Sequence, residues 1–239
     1  MIKIKRALIS VSDKTGIVEL AKILRDFDCE IISTGGTQKV LESAGIKVTD
    51  IGEVTGNPEA FGGRMKTISF NVESALLFDR ERDREEAEKL NIKPIDMVVC
   101  NLYPFAEVKR KNADFNTLIE NIDIGGPTMI RAAAKNFKYV VTIVDVTDYD
   151  VIIKELLETG GSLSYETRFE LMRKAFNHTA DYDALIATTM DLIATTMDEQ
   201  AGKKSLRFAF ADGKKLRYGE NSHQKGYFLR ERGTEEFAF

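Results

Sequence analysis

The chain has 239 residues, 43% hydrophobic and 30% charged, with 17 Gly, 4 Pro and no Trp. That composition excludes collagen, a whole-chain coiled coil and a disordered polymer, and the length allows a sizeable core without disulfide staples. Thirty-four Lys+Arg against 38 Asp+Glu leave a net charge of −4, so no strongly basic face marks a nucleic-acid binder, although a local cationic pocket stays open.

The basic start, Met1 to Arg6, is followed by an apolar run that stops at Ser10, too short for a signal peptide or a membrane span. Cys29 and Cys100 show no metal-type spacing and read as core thiols in a reducing compartment. The expected location is the cytoplasm, with no membrane partner.

Ala7 to Val11 reads as a strand, Ser12-Asp13-Lys14-Thr15-Gly16 as a polar turn, and Ile17, Leu20, Ala21 and Leu24 as one helical face. The grammar repeats. Glu30 to Ser33 leads into Thr34-Gly35-Gly36-Thr37, and Val40, Leu41 and Ala44 mark a helix ending at Gly45. A third strand is expected over Ile46 to Ile51 and a fourth over Met97 to Cys100, whose unbroken apolar run suits burial on both faces. Ile122 to Gly126 precedes Pro127, expected at the first position of a helix reaching Lys135, and Tyr139 to Val144 supplies a fifth strand. Alternating strands and helices predict an α/β fold with a doubly wound parallel sheet and ligands at the carboxyl ends of its strands.

After residue 146 the pattern turns helical. Tyr149 to Leu157 is amphipathic, and Ser164 caps a longer helix carrying Phe169, Met172, Phe176 and Ala180. The heptapeptide Leu185 to Asp191 recurs as Leu192 to Asp198. Seven residues make about two helical turns, so a helix absorbs this duplication with its apolar face roughly in register. A short β tail is expected to close the chain as a hairpin, with strands over Leu206–Phe210 and Lys215–Tyr218 and a turn at Asp212-Gly213.

The candidate chemistry lies in the loops. Thr34 to Thr37 is either a phosphate-binding loop at a helix N-terminus or only a turn. Ser12 to Gly16 occupies the equivalent place after the preceding strand and brings Lys14. Gly62-Gly63-Arg64-Met65-Lys66-Thr67 sets two cations beside a Gly pair, as a phosphomonoester or an oxyanion would require, or forms a solvated basic loop. Asp123 is a helix cap or turn former on its own, and with a lysine such as Lys135 and the phenol of Tyr103 it is a candidate for proton transfer. The two histidines, His178 and His223, fall outside the α/β part, which argues against a Ser-His-Asp hydrolase or a His-held metal there.

Taken together, Ser10 to Gly16, Thr34 to Thr37, Gly62 to Thr67, Cys100-Asn101-Leu102-Tyr103-Pro104-Phe105, Asp123 to Gly126 through Arg131 to Asn136, and Lys174 to Asp183 resemble the N-terminal half of the bifunctional purine biosynthesis proteins, in order over roughly the first 200 residues. That half is the inosine monophosphate (IMP) cyclohydrolase. The resemblance implies a methylglyoxal-synthase-like domain, usually dimeric, that closes the ring of a formylated aminoimidazole carboxamide ribotide to give IMP and water, with no metal and no organic cofactor. It implies that Asp123 and Lys135 move protons at the carboxamide, and that Lys66 and Tyr103 assist at the formyl oxygen. The ribotide would be held by Ser10, Ser12, Asp13, Lys14, Thr34, Gly35, Gly36, Thr37, Arg64, Thr67, Cys100, Asn101, Ile124, Gly125 and Gly126.

Arg217-Tyr218-Gly219-Glu220-Asn221-Ser222-His223-Gln224 resembles the opening of the second, transformylase half, with Arg217 and Tyr218 at ribotide-binding positions. The family's catalytic Lys-His pair lies further downstream than this chain reaches, so no transformylase activity is expected of it. The expected organisation is a core over residues 1–146, a helical extension over 147–200 and a transformylase beginning over 201–239. Expected partners are the ribonucleotide, a second copy in a homodimer and, as a further candidate, a separate transformylase chain. One departure concerns the segment after Thr67, where the family has a Leu-His-Pro stretch and this chain has Ile68 to Ala75. Competing readings are a nucleotide-binding module without turnover and one half of a split enzyme. Methylglyoxal formation shares the fold but is disfavoured by the histidine-free core.

Overall fold

The computed structural model describes residues 1–197, 210–221 and 223–231. The chain divides into two compact units, residues 1–179 and residues 180–239. The first holds strands β1 (Ile2–Lys3), β2 (Arg6–Ile9), β3 (Glu30–Ser33), β4 (Thr49–Asp50), β5 (Met97–Val99), β6 (Val141–Ile143) and β7 (Ser162–Leu163). Its helices are α1 (Ile17–Asp26), α2 (Gly35–Ser43), α3 (Ile51–Thr55), α4 (Phe70–Leu77), α5 (Arg84–Lys89), α6 (Phe105–Arg110), α7 (Phe115–Glu120), α8 (Gly125–Lys135) and α9 (Tyr149–Thr159), and α10 (Tyr165–Met197) begins within it.

Five strands form one parallel sheet in the order β4-β3-β2-β5-β6. The sheet is doubly wound: the chain builds outward from β2 through β3 to β4, then returns to the other side of β2 with β5 and β6. Alternation along the strands sends Ala7, Ile9, Ile31, Met97, Val99, Val141 and Ile143 into a core with Leu20 and Leu24 of α1, Leu41 of α2 and Ile152 and Leu156 of α9. Leu8, Ile32 and Val98 point the other way, where α8 packs on β5 and β6 and α4 packs on α8. Both faces are covered, which is why these strands read as continuous apolar runs.

Local chemistry sets the boundaries. The expected third strand shrinks to Thr49–Asp50 because the Asp50 carboxylate accepts the Gly52 N–H at 2.7 Å and starts α3. Helix α8 begins at Gly125, so Pro127 is its third residue and not its first. A proline is tolerated there because the first-turn N–H groups have no partner within the helix. Segment 68–75, where the sequence departs from the family it resembles, turns helical at Phe70: Ser69 Oγ accepts from Val72 N at 3.1 Å and caps α4. Ser164 caps α10 as expected, accepting from Thr167 N at 3.1 Å. Short strands β1 and β7 pair antiparallel, Ile2 opposite Leu163, a pairing of two-residue segments with no periodicity to announce it.

In the second unit, α10 continues through the duplicated heptapeptide to Met197, with Asp198 outside the described residues. The two copies are not equally covered, since Leu185 is half-buried and Leu192 is exposed. The C-terminal hairpin pairs β8 (Phe210–Lys215) with β9 (Tyr227–Glu231). This corrects the expected pairing: Asp212-Gly213 is not a turn but lies inside β8, where a register shift between Ala211 and Lys214 absorbs it. Gly213 stays out of the left-handed backbone region that an Asp-Gly hairpin turn requires. Residues 206–209 of the expected first strand lie outside the described residues.

Candidate active site

The carboxyl ends of β2, β3 and β5 and the N-termini of α2 and α8 open into one cleft of about 670 Å³. The cleft lies where the chain changes direction between β2 and β5, the crevice in which doubly wound sheets bind ligands. Its first end is built for an anion. Ser10 Oγ and Thr34 Oγ1 lie 2.9 Å apart, and Lys14 leans over Gly36 with its Nζ donating to the carbonyls of Val11 (3.4 Å) and Ser12 (3.2 Å). The first-turn N–H groups of α2 face the same space, adding the positive end of a helix dipole.

Two hydrogen-bond stitches, the first of them buried, hold this end in shape. Thr37 Oγ1 accepts from Val11 N at 3.1 Å and donates to Val11 O at 3.0 Å. Asn101 Oδ1 accepts from the N–H groups of Ser12 (2.6 Å) and Asp13 (2.8 Å), while its Nδ2 donates to Asp13 O at 2.9 Å. The loop after β2 is thereby tied to the first turn of α2 and to the loop that follows β5.

At the other end, Tyr103, Asp123, Lys66 and Thr67 meet the start of α8. Asp123 Oδ1 accepts from Gly126 N at 2.8 Å, and the Tyr103 N–H also donates to this carboxylate. Burial nevertheless pushes the Asp123 carboxyl above its ordinary value, against the opposing pull of those two N–H groups and of the Lys66 ammonium. Backbone approach here leaves no room for side chains: a β-carbon on Gly126 would lie 2.7 Å from both Asp123 Oδ2 and Leu102 Cδ2, and one on Gly125 would lie 2.7 Å from Thr67 Oγ1. Cys100 is buried and its thiol is pushed strongly up by that burial and then by Asp123, so it serves as wall and not as nucleophile.

The cations on the hairpin that carries Gly62-Gly63 are already occupied. Arg64 pairs with Glu120 at the end of α7, and Lys66 Nζ lies 3.4 Å from Glu59 Oε2. The two glycines turn this hairpin with φ of 66° and 95°.

Of the residues expected from sequence, Ser10, Ser12, Lys14, Thr34, Gly36, Thr37, Arg64, Lys66, Thr67, Cys100, Asn101, Tyr103, Asp123, Ile124, Gly125 and Gly126 line this cleft. Three do not. The Asp13 carboxylate turns aside to accept from Thr15 N (2.9 Å) and Thr15 Oγ1 (2.7 Å), which lower its pKa and make it a loop former. Gly35 opens α2 beneath the Lys66 ammonium and is not itself part of the wall, and Lys135 is exposed in the last turn of α8. Ten residues of helix at 1.5 Å each put Lys135 about 15 Å along the axis from the cleft. The expected pairing of Asp123 with Lys135 is therefore not assembled, and the lysine acting on Asp123 is Lys66.

A family profile described as "MGS-like domain" matches residues 16–128, and one described as "AICARFT/IMPCHase bienzyme" matches residues 133–238. The chain is 49% identical over 234 residues, 97% of its length, to the bifunctional purine biosynthesis protein PurH of Acetivibrio thermocellus, and 50% identical over 232 residues, 95% of its length, to PurH of Bacillus cereus. The chain belongs to the PurH family. It spans 45% and 44% of the length of those two PurH proteins. Among solved structures, the crystal structure of ForH aligns with a TM-score of 0.66 at 35% identity, covering 77% of this chain and 97% of that one.

Within this PurH-family fold the cleft also recruits Ile119, Glu120, Ile122 and Met129, which sequence reasoning missed. Met129 stands one helical turn after Gly125, a spacing that could have found it. Glu120 and its partner Arg64 are 56 positions apart, and nothing local links them. Arg217 and Tyr218 are exposed in the connection between β8 and β9, where Gly219 N donates to Gln224 O at 3.0 Å. Ser222 of that motif is outside the described residues. No described helix is long and apolar enough to cross a membrane.

Proposed function

We propose that this chain is an IMP cyclohydrolase that closes the ring of the formylated aminoimidazole carboxamide ribotide. The observation that carries the reading is that an anion-binding end and an acid–base end share one cleft: Lys14, Thr34 and the α2 N-terminus at the first, Lys66, Tyr103 and Asp123 at the second. The ribotide phosphate sits at the first end, reinforced by Arg64 once it leaves Glu120. The base reaches the second end, where the carboxamide nitrogen is held against the formyl carbon.

Asp123 accepts the carboxamide proton as the C–N bond forms, which its elevated pKa favours. Lys66 and the Tyr103 hydroxyl donate to the formyl oxygen as it becomes an oxyanion and leaves as water. Carboxamide and formyl groups together lose one water, so the ring closes without an oxidant or reductant. Lys135 has no part in this scheme.

The placement of Lys135 favours the second reading, a binding module without turnover. The two separate in one assay of ribotide conversion to IMP. Lys66→Ala lowers kcat at least about a hundredfold, with IMP still bound, if the chain is the enzyme. A wild-type chain that binds IMP but forms none is the module.

The wider organisation follows the same family reading: a core over 1–146, a helical extension over 147–200 and the beginning of a transformylase half over 201–239, in a cytoplasmic homodimer able to associate with a separate transformylase chain. Arg217 and Tyr218 belong to that second half as ribotide-binding positions.

A further inference from the structure

We propose that Glu59, which does not line the cleft, is a positioning residue that holds the Lys66 ammonium where it meets substrate. The backbone sets up the pair. Ala60 N donates to Met65 O at 2.9 Å and Met65 N to Ala60 O at 3.2 Å, a narrow antiparallel bridge that makes Glu59 and Lys66 the next pair facing each other across the hairpin. Glu59 Oε2 comes to 3.4 Å from Lys66 Nζ.

The ammonium then lies over backbone that carries no side chains. A β-carbon on Gly35 would stand 3.4 Å from Nζ, and one on Gly63 would stand 3.6 Å from Nζ and 2.9 Å from Glu59 Oε1. A side chain at Gly63 would displace the Glu59 carboxylate, whereas one at Gly35 would only touch the ammonium; both positions have positive φ, 95° and 40°, which favours glycine. Lys66 is 22% exposed, so its location is fixed by packing as well as charge.

Two carboxylates compete for this ammonium. Asp123 acts on it from inside the cleft; Glu59 acts on it from the hairpin. With Glu59 absent, Lys66 is free to collapse onto Asp123, which would occupy the proton acceptor and withdraw the donor from the formyl oxygen in one movement. Glu59 thus keeps the acid–base pair apart. This inference rests on the cyclohydrolase reading for its catalytic consequence, while the geometric part stands without it.

The test uses the full chain, with Glu59→Gln and Glu59→Asp compared with wild type after circular dichroism has confirmed the fold of each. Steady-state kinetics on the ribotide, IMP affinity, and the rate of Lys66 acylation by acetic anhydride read by mass spectrometry are measured for all three. Glu59→Gln is expected to lower kcat about ten- to a hundredfold, the scale on which a displaced catalytic group is felt, with KM and IMP affinity within about twofold of wild type and Lys66 acylation altered at least about threefold. Glu59→Asp restores most of kcat and the wild-type acylation rate. Unchanged acylation in Glu59→Gln overturns the proposal, as does a loss of kcat matched by an equal loss of IMP affinity. If wild type makes no IMP, the cyclohydrolase reading fails by itself, and the acylation rates alone decide whether Glu59 holds Lys66. If Glu59→Gln does not fold, Glu59→Ala takes its place: a truncated side chain that leaves both Lys66 acylation and kcat at wild-type values overturns the proposal.

Discussion

At the scale of single residues, the cleft shows how one carboxyl can be both fixed and reactive. Asp123 is half-buried, and that burial raises its pKa, yet it accepts N–H groups from Tyr103 and Gly126, which hold the carboxylate in place. The sign of the consequence follows from the direction of the shift. A proton acceptor works only when ionised, so the rate falls as pH drops through the raised folded value, at a higher pH than an ordinary aspartate near 3.8 would dictate. For stability the order reverses: between the unfolded and the raised folded values the native state holds the proton more tightly, so rising pH removes stability across that window. Asp123→Asn should therefore lower kcat at least about a hundredfold and remove this group's share of the loss of stability with rising pH. A kcat–pH profile paired with urea denaturation at several pH values checks both. An acid limb left unmoved in a variant that still turns over would remove Asp123 from the proton-transfer step.

At the scale of elements, what was legible depended on how many neighbours an element needs to declare itself. Strands β2, β3, β5 and β6 are buried on both faces, so their apolar runs were visible without knowledge of the fold. The loops that follow β2, β3 and β5, the Gly62–Thr67 hairpin and the approach to α8 carry most of the cleft, each as a short polar or glycine-containing motif, which is why so many of its residues could be placed from sequence. Lys135 could not, because a helix start reveals little about which residues remain near its N-terminal end after three turns. Strands β1 and β7 were invisible because each has only two residues and finds its partner far along the chain, and Asp212-Gly213 misled because a turn-forming dipeptide is equally compatible with a bulge.

One strand also carries a flaw that sequence hid: the Thr142 hydroxyl in β6 is buried with no hydrogen-bond partner among the described residues. A buried hydroxyl left unpaired costs free energy that an isosteric methyl does not. Thr142→Val is expected to stabilise the fold by about 1 kcal/mol, measured as a higher urea midpoint at unchanged slope. A destabilised variant would mean the hydroxyl is paired in solution.

At the scale of the whole molecule, the parallel sheet separates two tasks between its two ends. The candidate cleft lies at the carboxyl ends of the strands, while the amino ends of β2 and β6 are gathered by one acidic residue. Asp96 is 5% exposed. Its Oδ2 accepts from the N–H groups of Lys5 (2.9 Å) and Arg6 (3.0 Å), and its Oδ1 accepts from Arg80 Nη1 at 2.6 Å. Its own backbone joins β2 and β6, with Asp96 N donating to Arg6 O and Val141 N donating to Asp96 O, both at 2.8 Å.

Removing that side chain leaves two backbone N–H groups and a guanidinium without their shared acceptor. Burial makes the loss expensive, so Asp96→Ala is expected to cost about 3 kcal/mol. Arg80→Ala should cost less, because the Asp96 carboxylate keeps its two backbone donors. Since neither change touches the cleft, the fraction that stays folded should bind IMP with wild-type affinity. Urea denaturation followed by circular dichroism gives the first quantity and titration calorimetry on the folded variants gives the second. A variant with wild-type stability, or one that is folded but has lost IMP affinity, would mean that the two ends of the sheet are not independent.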